Sequence, residues 1–94
     1  MEIRINLVFD NSISRLSGNS YGEEIYIEQV NGKINLSEKN VIVFPNYIED
    51  VAISFIQGFT KNILKVIPKD EFFDHVLIEG TDKVKNKFLK GVYF

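Results

Sequence analysis

The chain contains no cysteine. A disulfide framework and thiolate chemistry are therefore excluded, and the expected location is a reducing cytoplasm. It contains one histidine, His75, so any His-Ser or His-carboxylate machinery would have to be built on that residue. No apolar run approaches the roughly 20 residues that span a bilayer. The N-terminus, MEIRINLVFD, lacks the basic-then-apolar layout of a signal peptide. Eleven basic residues stand against 13 acidic ones, a net charge of −2. Non-specific nucleic-acid binding thus has no global electrostatic support. The six glycines are scattered, and neither GxGxxG nor GxxxxGK occurs, so no phosphate-binding loop is expected.

Apolar residues are well supplied: 45% of the chain, including eight Phe and four Tyr. That is enough for a core, and 94 residues make one expected domain, 1–94. Residues 2–9 alternate Ile3, Ile5, Leu7 and Phe9 against Glu2, Arg4 and Asn6, the period of a strand with one buried face. Asp10-Asn11 is turn chemistry, and residues 12–16 are expected to return as a second short strand. Residues 20–36 admit two readings. Ser20 and Glu23 fit a capping box that starts a helix near Tyr21, while Asn31-Gly32 is a hairpin signal.

Residues 41–44, VIVF, form a short buried strand that Pro45 ends, because proline has no N–H for the ladder. A helix follows, opening at Ser54 with Gln57 completing a capping box. At 100° per residue Phe55, Ile56, Phe59, Ile63, Val66 and Ile67 form one stripe, with Gln57, Lys61, Asn62 and Lys65 opposite. Pro68 stops it. Gly58 costs that helix about 1 kcal/mol relative to Ala and so marks a close backbone approach. Residues 69–74 form a turn or helical turn. Residues 75–79, HVLIE, form a buried strand that starts at His75. Thr81 caps a last helix with Val84, Phe88 and Val92 at i, i+4 and i+8. Roughly thirty residues from strand 41–44 to strand 75–79 suit a β-α-β unit with parallel pairing. The expected fold is α/β: a small mixed sheet with one β-α-β unit and about three helices.

Few residues carry chemistry. Asp70, Glu71 and Asp74 are explained by a hydrated surface, and no metal or cofactor is expected. Glu49-Asp50 and Glu23-Glu24 are explained by the positive end of a helix dipole. Residues 81–94 hold four Lys and one Asp, a local +3, without the interleaved aromatics of a nucleic-acid platform. Ser54 supports two compatible roles. As an N-cap it contributes about 1 kcal/mol. As a phospho-acceptor it would place an anion where a helix N-terminus tolerates one.

The run VIVFPNYIEDVAISFIQGF, residues 41–59, resembles the central strand-loop-helix of STAS domains, the sulfate-transporter and anti-sigma-factor-antagonist fold. It is closer to small prokaryotic STAS-like proteins of unassigned function. Upstream, SGNSYGEEIYIEQV resembles that group's Gly-Glu-Glu helix start at Gly22, Glu23 and Glu24, which favours helix over hairpin. The resemblance covers roughly residues 12–90. It departs from the antagonist pattern at Phe44, where those domains carry Asp. It departs again at Ala52-Ile53-Ser54-Phe55, where they carry Asp-Ser-Ser-Gly, which argues against an antagonist-type kinase.

The resemblance implies a non-enzymatic, regulatory protein-interaction module. The strand-loop-helix corner would supply its contact surface and switch, Asn46, Tyr47, Glu49, Asp50, Ser54 and Phe55, and its partner would be a protein, either a regulatory kinase-like ATPase or a host complex. Two alternatives stand beside it. One is a phage or mobile-element protein that blocks a host complex, which the Asn-, Ile- and Lys-rich composition permits. The other is a small-ligand binder using the start of the helix at Ser54.

Overall fold

The computed structural model describes residues 1–93; Phe94, at the end of the expected domain, lies outside the described residues. The fold is α/β, as expected. Three strands form a parallel sheet in the order β1 (Glu2–Asn6), β3 (Lys39–Val43), β5 (Val76–Glu79). β2 (Arg15–Leu16) and β4 (Asp50–Val51) form a separate two-residue parallel ladder. The helices are α1 (Asn19–Ile25), α2 (Ile53–Thr60), the single turn α3 (Phe72–His75) and α4 (Asp82–Tyr93).

Among the described residues every ladder is parallel, so the sheet is not mixed. The difference lies in residues 12–16. They do not fold back on β1. Their short strand runs on to meet β4 beyond the end of the main sheet, with Arg15 opposite Asp50. The β-α-β unit stands as expected, with β3 and β5 paired from Asn40–Val76 to Val43–Glu79.

Residues 19–30 are helical, which resolves the helix-or-hairpin alternative. α1 begins at Asn19 rather than near Tyr21, after Gly18 at φ 99, and Ser20 makes no capping bond. The helix then widens into a π-helical turn over Tyr26–Val30. That turn carries Gln29, whose amide accepts from the Val8 N–H at 2.7 Å and donates to the Val8 carbonyl at 2.8 Å. A side chain thereby takes the place of a neighbouring strand at one residue of the β1 edge. Asn31-Gly32 is the turn that follows, with Gly32 at φ 89.

α1 and α2 cross backbone to backbone. A Cβ on Gly22 would lie inside contact distance of the Phe55 carbonyl and 2.8 Å from the Phe59 nitrogen. A Cβ on Gly58 would strike the Asn19 carbonyl, with its carbon at 2.7 Å. The close approach expected at Gly58 is therefore half of a reciprocal pair.

The core is one cluster. Phe44 sits among Phe9, Phe59 and Phe88, with ring centroids 5.3–6.3 Å apart. Phe59 also meets Tyr26 edge-on at 6.1 Å and Phe55 at 5.7 Å. Val84, Phe88 and Val92 bury as expected, and Thr81 Oγ accepts the Val84 N–H at 3.3 Å.

The expected stripe buries Phe55, Ile56, Phe59 and Ile63 and packs Ile67 partly against the core, and it fails at Val66. The α-helix ends at Thr60, whose hydroxyl turns back onto the Ile56 carbonyl at 2.7 Å, and irregular turns follow. Val66 is 70% exposed and leaves the core. His75 ends α3 instead of opening β5. Its carbonyl is one of three that share the amide of fully buried Asn40, with those of Asn35 and Glu38. No helix among the described residues is long and apolar enough to cross a membrane.

Alanine at position 22 tests the crossing. Helix propensity alone predicts a gain of about 1 kcal/mol. The contact predicts a loss of roughly 2–3 kcal/mol, because backbone cannot yield as a side chain can. Urea denaturation of Gly22→Ala gives the sign.

Candidate functional site

The segment between β3 and α2 is built by handovers from loop to strand. After Pro45 a turn closes from Ile48 N–H to the Pro45 carbonyl at 3.0 Å, and Ile48 plugs the core. The Glu49 and Asp50 N–H groups both reach the Ser14 carbonyl, at 2.7 and 3.3 Å. The Ala52 N–H reaches the Leu16 carbonyl at 2.7 Å. The loop's side chains divide accordingly. Asn46 and Glu49 are exposed. Tyr47 is half-buried and donates its hydroxyl to the Phe9 carbonyl, which fixes the loop to the end of the first strand segment.

Asp50 departs from the helix-dipole reading. Its carboxylate faces Arg15 Nε at 3.3 Å, Lys87 Nζ at 3.4 Å and Lys83 Nζ at 3.9 Å. The side chain is only 16% exposed. Oδ1 has no well-directed hydrogen bond; the Lys87 ammonium offsets its charge through space instead. Lys87 also donates to the Val51 carbonyl at 3.4 Å. One carboxylate thus gathers β2, β4 and α4, and three cations surround it. Burial works against its ionisation and is the largest single influence, but Arg15, Lys87 and Lys83 together outweigh it and hold the carboxyl below its ordinary value.

Ser54 lies inside α2, one residue past its start, and is not the N-cap. Ala52 holds that position without a side-chain bond. The Ser54 hydroxyl oxygen instead accepts the Gly18 N–H at 3.1 Å. It therefore joins the start of α2 to the residue that precedes α1, while remaining exposed. Gly18 φ of 99 is in the left-handed region, where a side chain is strained.

Phe55 is fully buried. It packs on Phe59 and Tyr21, each at 5.7 Å, and is a core residue rather than a contact residue. The structure thus leaves Asn46, Glu49 and Ser54 exposed, holds Asp50 largely buried among Arg15, Lys83 and Lys87, keeps Tyr47 as an anchor, and withdraws Phe55.

His75 stands at the other end of the sheet. It precedes β5, whose first residue pairs with Asn40 at the start of β3, whereas Ser54 follows the end of β3. A shallow groove of about 310 Å³ lies on the outer side of the first helix, lined by Ser20, Glu23, Glu24, Ile27 and Glu28; it is not at the start of α2. Arg15 and Gly18 are the site residues that sequence reasoning missed. Gly18 carried a signal, as a glycine directly before a helical pattern. Arg15 carried none, because its partner is 35 residues away.

The Asp50 cluster sets a pH dependence. Its folded carboxyl titrates below its ordinary 3.8. The stabilisation is therefore present above that value and fades as pH falls through the lower, folded one. Replacing Asp50 with Asn is expected to cost about 1–2 kcal/mol at neutral pH, Arg15 and Lys83 being largely solvated and Lys87 less so. The difference from wild type should shrink toward acid. Urea midpoints of both proteins between neutral and strongly acid pH measure it.

No protein-family model, curated protein or solved structure matches this chain.

Proposed function

We propose that the chain is a STAS-like, non-enzymatic protein-interaction module of the prokaryotic cytoplasm. Its contact surface is the exposed loop at Asn46 and Glu49 together with the rim formed by Arg15, Asp50 and Ser54. Ser54 is its switch. Its partner is a protein of the regulatory kinase-like ATPase class, other than the antagonist-type kinase whose motif residues 52–55 lack.

The observation that carries this reading is the bond from the Gly18 N–H to the Ser54 oxygen at 3.1 Å. An exposed hydroxyl at that place is open to modification, and its oxygen also holds two helix starts together. A phosphoryl group adds a charge of about −1.5 to −2 and three strong acceptors. It would change the charge of the rim and compete for the Gly18 N–H in one event. The helix dipole of α2 tolerates the anion, so the fold survives modification while the surface changes. The buried position of Phe55 supports a mechanism that works through this polar rim and not through an aromatic anchor.

Affinity capture from native cells tests the surface. Wild-type protein and Ser54→Ala should hold the same partner. Asn46→Arg with Glu49→Arg, and Ser54→Asp, should each lower capture at least about tenfold, the loss expected from truncating or opposing a central interface contact. Equal capture by all four proteins contradicts the surface. A Ser54 that stays unmodified in intact-mass spectra under every growth condition contradicts the switch.

A further inference from the structure

We propose that the open edge of β1 pairs antiparallel with the same edge of a second copy, joining two three-stranded sheets into one. β1 and β5 are the two edges of the main sheet, and their backbones differ in what they leave free. The Leu7 N–H reaches the Val43 carbonyl at 2.9 Å, so Leu7, and with it Ile5 and Ile3, turn their polar backbone toward β3. By the two-residue period of a strand, Glu2, Arg4, Asn6 and Val8 turn theirs outward.

Val8 is already satisfied at both groups by the Gln29 amide. Glu2, Arg4 and Asn6 have no such partner among the described residues. At β5 the corresponding outward residues are Val76 and Ile78, since the Glu79 carbonyl faces β3 through the Phe44 N–H. The Val76 N–H is consumed by the Phe72 carbonyl. The β1 edge is therefore the longer template.

Natural edges are guarded by charges that project past them. Arg4 is the residue placed to do this, and it is drawn the other way. Its guanidinium reaches across β3 to Glu79 on β5, at 2.8 and 3.3 Å, and lies 3.7 Å from Glu2. The edge is left unguarded.

Charge then selects a second copy and one register. In an antiparallel pair, outward residues must meet outward residues. Pairing about Arg4 sets guanidinium opposite guanidinium. Pairing about Ile5 sets Arg4 opposite Asn6, which offers no opposite charge, and its outer pairs, Glu2 with Val8, need the groups that Gln29 occupies. Pairing about Ile3 sets Glu2 opposite Arg4 of the second copy, and Arg4 opposite Glu2. That register gives two hydrogen-bonded pairs, each exchanging both N–H···O bonds, with opposite charges on one face of both. The contact is isologous and closes as a two-fold dimer instead of a filament.

Sedimentation equilibrium on the chain, with any tag placed at its C-terminus, tests this. Wild type should show a concentration-dependent monomer-dimer equilibrium up to millimolar protein. Arg4→Pro, which removes an outward N–H, should be monomeric. Glu2→Arg sets like charges opposite each other and should weaken dimerisation about tenfold. The double substitution Glu2→Arg with Arg4→Glu should restore it. Far-UV dichroism checks that each variant folds, and the charge pair decides the matter if Arg4→Pro does not. A wild type that stays monomeric at millimolar protein overturns the proposal. So does a dimer indifferent to Arg4→Pro, or a double variant as weak as Glu2→Arg alone.

Discussion

Two backbones touch where α1 crosses α2, and the rest of the molecule is arranged around that contact. Gly22 and Gly58 are reciprocal there: each lacks the Cβ that would collide with the other helix's main chain. Close packing lets a short α1 and an eight-residue α2 share the Tyr21, Phe55 and Phe59 rings. Those rings lead through Phe44 and Phe88 to the sheet and α4. A glycine in a helix normally weakens it. Here the weakening is offset by apolar area that a wider crossing would leave exposed.

The same contact determines the geometry of the surface corner. With the two helices at that separation, Gly18 before α1 and Ser54 at the start of α2 come within hydrogen-bond distance. Asp50 completes the corner from the other side by collecting cations from β2 and α4. Neither link is large alone. Exposed ion pairs contribute little, and a single hydrogen bond has a net worth of about 1 kcal/mol. Their importance lies in position: a charge added at Ser54 lands on a joint between core elements. That is the physical content of the proposed switch.

Much of this was legible along the chain. The alternation of Ile3, Ile5, Leu7 and Phe9, the β-α-β unit and the face of Val84, Phe88 and Val92 follow from periodicity, which depends only on near neighbours. The close approach at Gly58 followed from a glycine placed where a helix would otherwise reject one. What was hidden depends on distant partners. Leu16 pairs with Val51 rather than with β1. Two apparent capping boxes make no capping bond, since Ser54 finds Gly18 instead. Asn40, just before the expected strand 41–44, carried no signal of its role as a buried hub for three carbonyls. Phe55 looked available beside Ser54, but one helical step turns it into the core. The end of the α-helix at Thr60 is also hidden in the sequence, because the apolar period continues past it and Ile63 and Ile67 still pack on the core from irregular turns.

Amide hydrogen exchange at Gly18 tests the joint most directly. The account predicts that the Gly18 amide is protected in wild type to about the level of Gly22, whose N–H makes the first intrahelical bond of α1, to the Gly18 carbonyl. In Ser54→Ala that protection should fall about tenfold or more, the equivalent of one lost hydrogen bond, while amides in the middle of α2 stay unchanged. A Gly18 amide that exchanges freely in wild type, or one that stays protected without the Ser54 hydroxyl, contradicts the coupling between the crossing helices and the surface corner.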